Sequence, residues 1–94
     1  MNKYETIFLM KKDLTEEQRN KVVDTIKNYL NGNGKITNTE ELGKKKLAYE
    51  IRKYNEAYYY AIEFNAKAEA IRELERMYRI NDDILKFIVI RKDY

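Results

Sequence analysis

The first apolar stretch of the chain alternates with the two-residue period of a β-strand. One side of this predicted strand carries Tyr4, Thr6, Phe8 and Met10, and the other side carries Glu5, Ile7 and Leu9. Further along, Thr15 and Gln18 have the spacing of a capping box, in which the two residues satisfy each other's backbone N–H groups at a helix start. The sequence therefore predicts a strand, a short loop and a helix that begins after Thr15.

The helical stripe and the later segments complete the pattern. The stripe consists of Val22, Ile26, Tyr29 and Leu30. The segment NGNG, residues 31–34, is expected to end the helix, with Gly32 able to take the left-handed cap conformation. The further predicted elements are a second strand from about Lys35 to Arg52 with a bulge near Gly43, a turn carried by Asn55, a third strand from Tyr58 to Phe64, a second helix capped by Asn65 and a last strand from Ile84 to Ile90.

The order of these elements, β-α-β-β-α-β, is typical of a ferredoxin-like α+β sandwich. Right-handed crossovers place both helices on one face of a four-stranded antiparallel sheet. The chain has 94 residues, a length that suits one domain, and we expect that domain to span residues 1–94.

The sheet face that the helices leave open should be polar, but the first and last strands are apolar on both faces. Their outward residues are Ile7, Leu9, Ile88 and Ile90. Because these strands are neighbours in this topology, the four side chains should form a contiguous patch that marks a protein partner. The alternatives are that central strands are simply apolar throughout, or that a terminus covers them.

The segment GKKKLAYEIRKY, residues 43–54, combines an alternating apolar run with five cations. Period two predicts that Leu47, Tyr49 and Ile51 point toward the helices, whereas Lys44 and Lys46 point to the open side. The second strand is an edge, where lysine also prevents edge-to-edge aggregation. Three consecutive lysines exceed what that protection needs, so ligand binding and edge protection both remain open.

Nine tyrosines in the chain are a high number. Tyr58, Tyr59 and Tyr60 run along a central strand beside the basic edge, where cations would follow phosphates and exposed rings would stack on unpaired bases. Tyr29 and Tyr49 are instead assigned to the core, with hydroxyls at its rim. For Tyr59 the stacking surface and the core both remain open.

Composition excludes several function classes. The chain lacks cysteine, so it has no disulfide and no thiolate zinc site, which fits a reducing cytoplasm. It also lacks histidine, the commonest general base. No run of about 18 apolar residues occurs, so no membrane span is expected, and the opening apolar run is too short for a signal peptide. The net charge of +3 is mild.

Little in the sequence supports catalysis. Paired carboxylates occur at Glu16–Glu17, Glu40–Glu41 and Asp82–Asp83, but residues next to each other in sequence do not face one another on a helix. The loop after the first strand, KKDLT, lacks the glycine and arginine that an acylphosphatase anion loop of this fold class would need. We therefore expect no enzyme, no cofactor, no metal and no small-molecule substrate.

Three stretches resemble the bacterial small-subunit ribosomal protein six family over essentially the whole chain. They are KYETIFLMKKDLTEEQ, EELGKKKLAYEIRKYNEAYYY and RINDDILKFIVIRK. The middle stretch is the most specific, with a glycine, basic residues and Leu-Ala-Tyr. It departs from the family at Glu50, where a proline is common, and at Ala57, where a glycine is common.

The resemblance implies a non-catalytic protein of the cytoplasmic ribosome. It implies binding to the central domain of small-subunit ribosomal RNA together with small-subunit ribosomal protein eighteen, which would occupy the apolar patch. The residues that it suggests for RNA contact are Lys44, Lys45, Lys46, Lys3, Arg79, Lys86 and Arg91. The patch expected for the protein partner consists of Ile7, Leu9, Ile88, Ile90 and Tyr59. The alternative is a protein-only interaction module that uses the open face and the edge strand.

Overall fold

The computed structural model describes residues 1–92, and within them it contains four strands and two helices in the predicted order. The elements are β1 Asn2–Lys11, α1 Glu16–Asn33, β2 Gly34–Ile51, β3 Tyr54–Ala66, α2 Glu69–Ile80 and β4 Ile84–Arg91. The strands pair antiparallel in the order β2-β3-β1-β4. The predicted ferredoxin-like sandwich is confirmed, with β2 at one edge and β1 beside β4.

Both helices pack on one face of the sheet, where the even-numbered side chains of β1 point. The buried cluster there consists of Tyr4, Phe8, Met10, Val22, Val23, Ile26, Leu30, Tyr60, Ile62, Phe64, Ala66, Leu74, Tyr78 and Ile84. Phe8 is fully buried, with its ring centroid 5.7 Å from that of Tyr60 and 5.4 Å from that of Tyr78. Because side chains alternate along a strand, the opposite face of β1 is left for other contacts.

One polar pair lies inside this core. The Thr6 hydroxyl donates a hydrogen bond to the carbonyl oxygen of Ile88 at 3.0 Å, so Tyr78 donates its own hydroxyl proton to Thr6 Oγ1 at 2.8 Å. Burial raises the pKa of the Tyr78 hydroxyl, which therefore stays protonated as a donor. Because a buried polar group without a partner is costly, the two bonds fix β1, β4 and α2 in one arrangement.

The start of α1 has the predicted capping box. The backbone N–H of Gln18 donates to Thr15 Oγ1 at 3.1 Å, and the backbone N–H of Thr15 donates to Gln18 Oε1 at 2.9 Å. Glu16 and Glu17 occupy the first turn, where the helix dipole favours negative charge.

Three residues predicted to cap a helix or form a turn lie elsewhere. The helix α1 ends at Asn33, within the predicted residues 31–34, but Gly32 lies inside it. Asn65 lies in β3, and the residue before α2 is Ala68, which makes no capping hydrogen bond through its side chain. Asn55 also lies in β3, because the turn falls on Arg52 and Lys53. Asn55 and Asn65 are both part of β3 because this strand pairs with β1 on one side and β2 on the other, and this pairing extends it beyond the predicted residues 58–64.

Gly34 makes a close approach at the junction of α1 and β2. A Cβ atom added there would collide with the backbone carbonyl oxygen of Asn65, whereas one added at Gly32 would meet open space. We expect Gly34→Ala to lower the free energy of unfolding by about 1–3 kcal/mol, because the paired strands must move apart.

The matched control is Gly32→Ala, which should raise the free energy of unfolding by about 0.4–1 kcal/mol, because alanine restricts the unfolded chain and suits a helix. Urea denaturation followed by circular dichroism measures both variants. Equal stabilities of the two variants would show that the junction tolerates a side chain.

Candidate functional site

The open face of the sheet, which the helices leave uncovered, carries an apolar groove of about 250 Å³. Its lining residues are Ile7, Leu9, Leu42, Tyr59, Lys86, Phe87 and Ile88. The strand register places Ile7 opposite Ile88 on β4, and it places Leu9 between Tyr59 on β3 and Lys86 on β4. Leu9 is only 7% exposed and lies at the floor, whereas Ile88 is 42% exposed at the rim.

Four of the five residues predicted as a partner patch therefore line one groove. The fifth, Ile90, lies one step further along the same face, opposite Glu5 on β1, and is 43% exposed. Leu42 was not predicted for this surface, and the bulge between Glu41 and Gly43 brings it to the groove. An apolar residue directly before the glycine of a predicted bulge was the available signal.

The three consecutive lysines lie on opposite sides of the sheet. Lys44 pairs with Tyr58 in the β2–β3 register, and its Nζ atom lies 5.9 Å from the centroid of the Tyr58 ring. Tyr58 packs against the core, and the Arg19 guanidinium of α1 lies 3.8 Å from its ring centroid. Lys44 therefore points to the helix side of the sheet.

Lys45 is the member of the triplet that shares the open face with the groove. It pairs with Ala57, and its Nζ atom lies 5.9 Å from the centroid of the Tyr59 ring, which lines the groove. Lys46 pairs with Glu56 and has the orientation of Lys44. The prediction that Lys44 and Lys46 face the open side was wrong, because it extended the alternation of residues 47–51 back to the triplet, and the pairing is irregular between Lys46 and Ile51.

Beyond Lys46, β2 leaves its regular pairing with β3. It advances five residues, from Lys46 to Ile51, while β3 advances two, from Glu56 to Tyr54. Residues 47–50, the hairpin arch, therefore extend out of the ladder. Tyr49 in this arch is 70% exposed, so its assignment to the core was wrong.

The turn that closes this hairpin is anchored to two neighbouring loops. Arg52 donates from Nη2 to the carbonyl oxygens of Asp82 at 3.0 Å and Ile84 at 3.2 Å, which lie at the α2–β4 connection. Tyr54 donates its hydroxyl to the Asp13 carboxylate at 3.1 Å, beside the start of α1. Burial and then this hydrogen bond raise the pKa of the Tyr54 hydroxyl. The base of the hairpin is therefore held on both sides.

The other predicted RNA-contacting cations are dispersed. Arg79 and Lys86 line a second cavity of about 370 Å³ together with Arg52, and the lining that the structure describes there contains no carboxylate residue. Lys3 lies near the opposite end of the sheet, where its cavity also contains Lys92 and Glu63.

Arg91 lies at the end of β4. It pairs with Tyr4 in the strand register, and its Nη2 atom donates to Asn2 Oδ1 at 3.0 Å. The predicted cations thus occupy the groove rim, the edge strand and both ends of the sheet, and they do not form one patch.

Carboxylates are also dispersed over the surface. Residues 1–92 include no group of three or more acidic side chains that could hold a metal ion. In the same part of the chain, every helix is too short or too polar to cross a bilayer. The described surface instead offers an apolar groove bordered by cations, with an exposed aromatic ring on the basic hairpin.

Comparison with known proteins gives a consistent set of similarities. Residues 3–91 match the sequence profile of the family described as Ribosomal protein S6. The chain is 45% identical over 94 residues to the Small ribosomal subunit protein bS6 of Caldanaerobacter subterraneus subsp. tengcongensis, with 99% of each chain covered. It is 43% identical to the protein of the same name from Clostridium perfringens, again with 99% of each chain covered.

A solved structure is similar as well. The crystal structure of 30S ribosomal protein S6 from Thermotoga maritima superposes with a TM-score of 0.92 at 33% sequence identity. The superposition covers 97% of this chain and 87% of that chain.

Proposed function

The chain belongs to the ribosomal protein S6 family, and from this membership we propose that it binds the central domain of small-subunit ribosomal RNA together with small-subunit ribosomal protein eighteen. As a member of this family it is a structural, non-enzymatic protein of the small ribosomal subunit, and it is located on the ribosome. In this proposal, residues 1–94 act as a single RNA-binding domain.

The observation that carries the proposal is the groove on the open face together with the cations at its rim. Ile7, Leu9 and Ile88 offer an apolar surface for a protein, and patches of this kind mark interaction sites. Lys86 is one of the residues that line this groove. Lys45 lies beside it, because its Nζ atom is near the ring of the groove residue Tyr59. A protein in the groove and an RNA strand along its rim would therefore bind side by side.

The RNA contacts that we propose are mainly electrostatic. Lysine and arginine side chains bind phosphates and fix the position of the RNA, but they carry little sequence information. The proposed contacts are Lys44, Lys45, Lys46, Lys3, Arg79, Lys86 and Arg91. Because the net charge is only +3, the chain alone should bind RNA weakly, and specificity should come from RNA shape and the protein partner.

Salt dependence tests this proposal. With about three to five phosphate contacts, the logarithm of the affinity for a central-domain RNA fragment should fall against the logarithm of salt concentration with a slope between about −2 and −4.5. Lys45→Ala should make the slope shallower by about one unit or less, since one contact is lost. Filter-binding titrations between about 50 and 200 mM salt, with protein eighteen present, measure both slopes.

The matched control is Lys21→Ala, which removes the same charge from an exposed position on α1, outside the proposed contacts. Its slope should equal that of the unaltered protein. An affinity that does not change with salt, or equal effects of the two lysine variants, would contradict the proposed contacts.

The protein-only interaction module remains the second candidate, because β2 is an edge strand and edge lysines also block aggregation. A gel mobility-shift assay separates the two functions. A shift of the RNA fragment by both proteins together supports the ribosomal function, whereas a protein complex that leaves the RNA unshifted supports the module.

A further inference from the structure

The hairpin arch, residues 47–50, presents an aromatic ring to solvent. Tyr49 is 70% exposed, whereas Tyr4, Tyr60 and Tyr78 are each less than a tenth exposed. An exposed ring of this size adds little to folding, because apolar surface stabilises a protein only when it leaves water. The ring is therefore available to a ligand.

The backbone around the arch is held in a costly conformation. Arg52 and Lys53 form the turn with φ angles of 48° and 69°, a region that side chains other than glycine and asparagine rarely adopt. Such strain persists where the surrounding structure enforces it, and it is concentrated at functional sites. Here the Arg52 and Tyr54 hydrogen bonds to the neighbouring loops supply that enforcement.

The charge of the hairpin indicates the class of ligand. Residues 44–53 contain one acidic residue, Glu50, and five cations, namely Lys44, Lys45, Lys46, Arg52 and Lys53. A strongly positive segment around an exposed ring suits a single-stranded polyanion with stacking bases. A protein partner has a separate apolar surface in the groove on the open face.

We propose that Tyr49 stacks on an unpaired base of the ribosomal RNA, with Lys46 and Lys53 binding the adjacent phosphates. This inference rests on the proposed function and adds the residue that recognises a single-stranded nucleotide. A stacked ring accepts any base, so Tyr49 contributes affinity for an unpaired position and the shape of the RNA selects which one.

The test compares Tyr49→Ala with Tyr49→Phe in binding to the central-domain RNA fragment, with protein eighteen present. Alanine removes the ring and should weaken binding by about 5- to 150-fold. Phenylalanine keeps the ring and should bind within about twofold of the unaltered protein. The salt slope should be unchanged in both variants because neither alters a charge, whereas Lys46→Ala or Lys53→Ala should make it shallower.

Three outcomes overturn the inference, and they are distinguishable. If Tyr49→Ala binds RNA as tightly as the unaltered protein, the stacking contact is absent while the proposed function stands. If Tyr49→Ala instead weakens binding of protein eighteen in the absence of RNA, the arch is a protein contact. If the unaltered protein with its partner does not bind the fragment, the proposed function fails and this inference fails with it. Thermal melting checks that both variants fold.

Discussion

Replacing Ile88 by aspartate should weaken the binding of small-subunit ribosomal protein eighteen by about 30-fold or more, which corresponds to about 2 kcal/mol. Ile88 lines the groove opposite Ile7 on β1 and is 42% exposed in the free chain. A partner that covers the groove would remove the new carboxylate from water, and the cost of this desolvation can exceed the attraction of Lys86, which lines the same groove. Isothermal titration calorimetry of the two purified proteins measures the loss.

The matched control is Ile80→Asp. Ile80 is 65% exposed at the end of α2 and is not among the residues that line the groove. The same change of side chain there should leave partner binding within about twofold, because surface substitutions away from a contact have small effects. Equal losses for the two variants would mean that the groove is not the partner's site.

Replacing Phe8 by alanine should lower the free energy of unfolding by about 3–5 kcal/mol. Phe8 is fully buried in β1, between the rings of Tyr60 and Tyr78. The substitution removes the ring contacts with Tyr60 of β3 and Tyr78 of α2, and it leaves a cavity that the rigid strand cannot close. Because small domains have a total stability of about 5–15 kcal/mol, the loss is a large part of the whole.

Urea denaturation with a linear extrapolation measures this loss, and Ile80→Ala is the control. At an exposed helix position that change should alter the free energy of unfolding by about 0.5 kcal/mol or less. A Phe8→Ala protein as stable as the control would mean that the core does not depend on this ring. At low temperature, the fraction of the Phe8→Ala protein that is still folded should keep its affinity for RNA, since Phe8 has no part in the proposed contacts.

The sequence alone determined the order of the elements and the core face of β1. The even-numbered residues of β1, the capping box at Thr15 and Gln18, and the bulge near Gly43 were all predicted and are present. Each depends on side chains only a few positions apart, so the local pattern contains the information. The order β-α-β-β-α-β then leaves few topologies, because crossover handedness is restricted.

The tertiary structure decided which way the functional side chains of β2 point. The bulge before Gly43 was predictable, but its effect on the lysine triplet depends on the register with β3, which residues distant in sequence set. A shift of one residue moves every following side chain to the other face of a sheet. Lys44 therefore lies beside Tyr58, and Lys45 rather than Lys44 lies beside the groove residue Tyr59.

The pairing of β2 with β3 also explains the positions of the Tyr49 and Leu42 side chains. Alternation along β2 indicated a core position for Tyr49, yet the three residues that β2 has in excess of β3 extend the arch into solvent. Leu42 entered the groove because the bulge turned it toward Leu9 and Tyr59. Local chemistry thus determined what the strands and helices are, whereas the pairing of strands decided what the surface presents, because register is a property of two segments and is absent from either one alone.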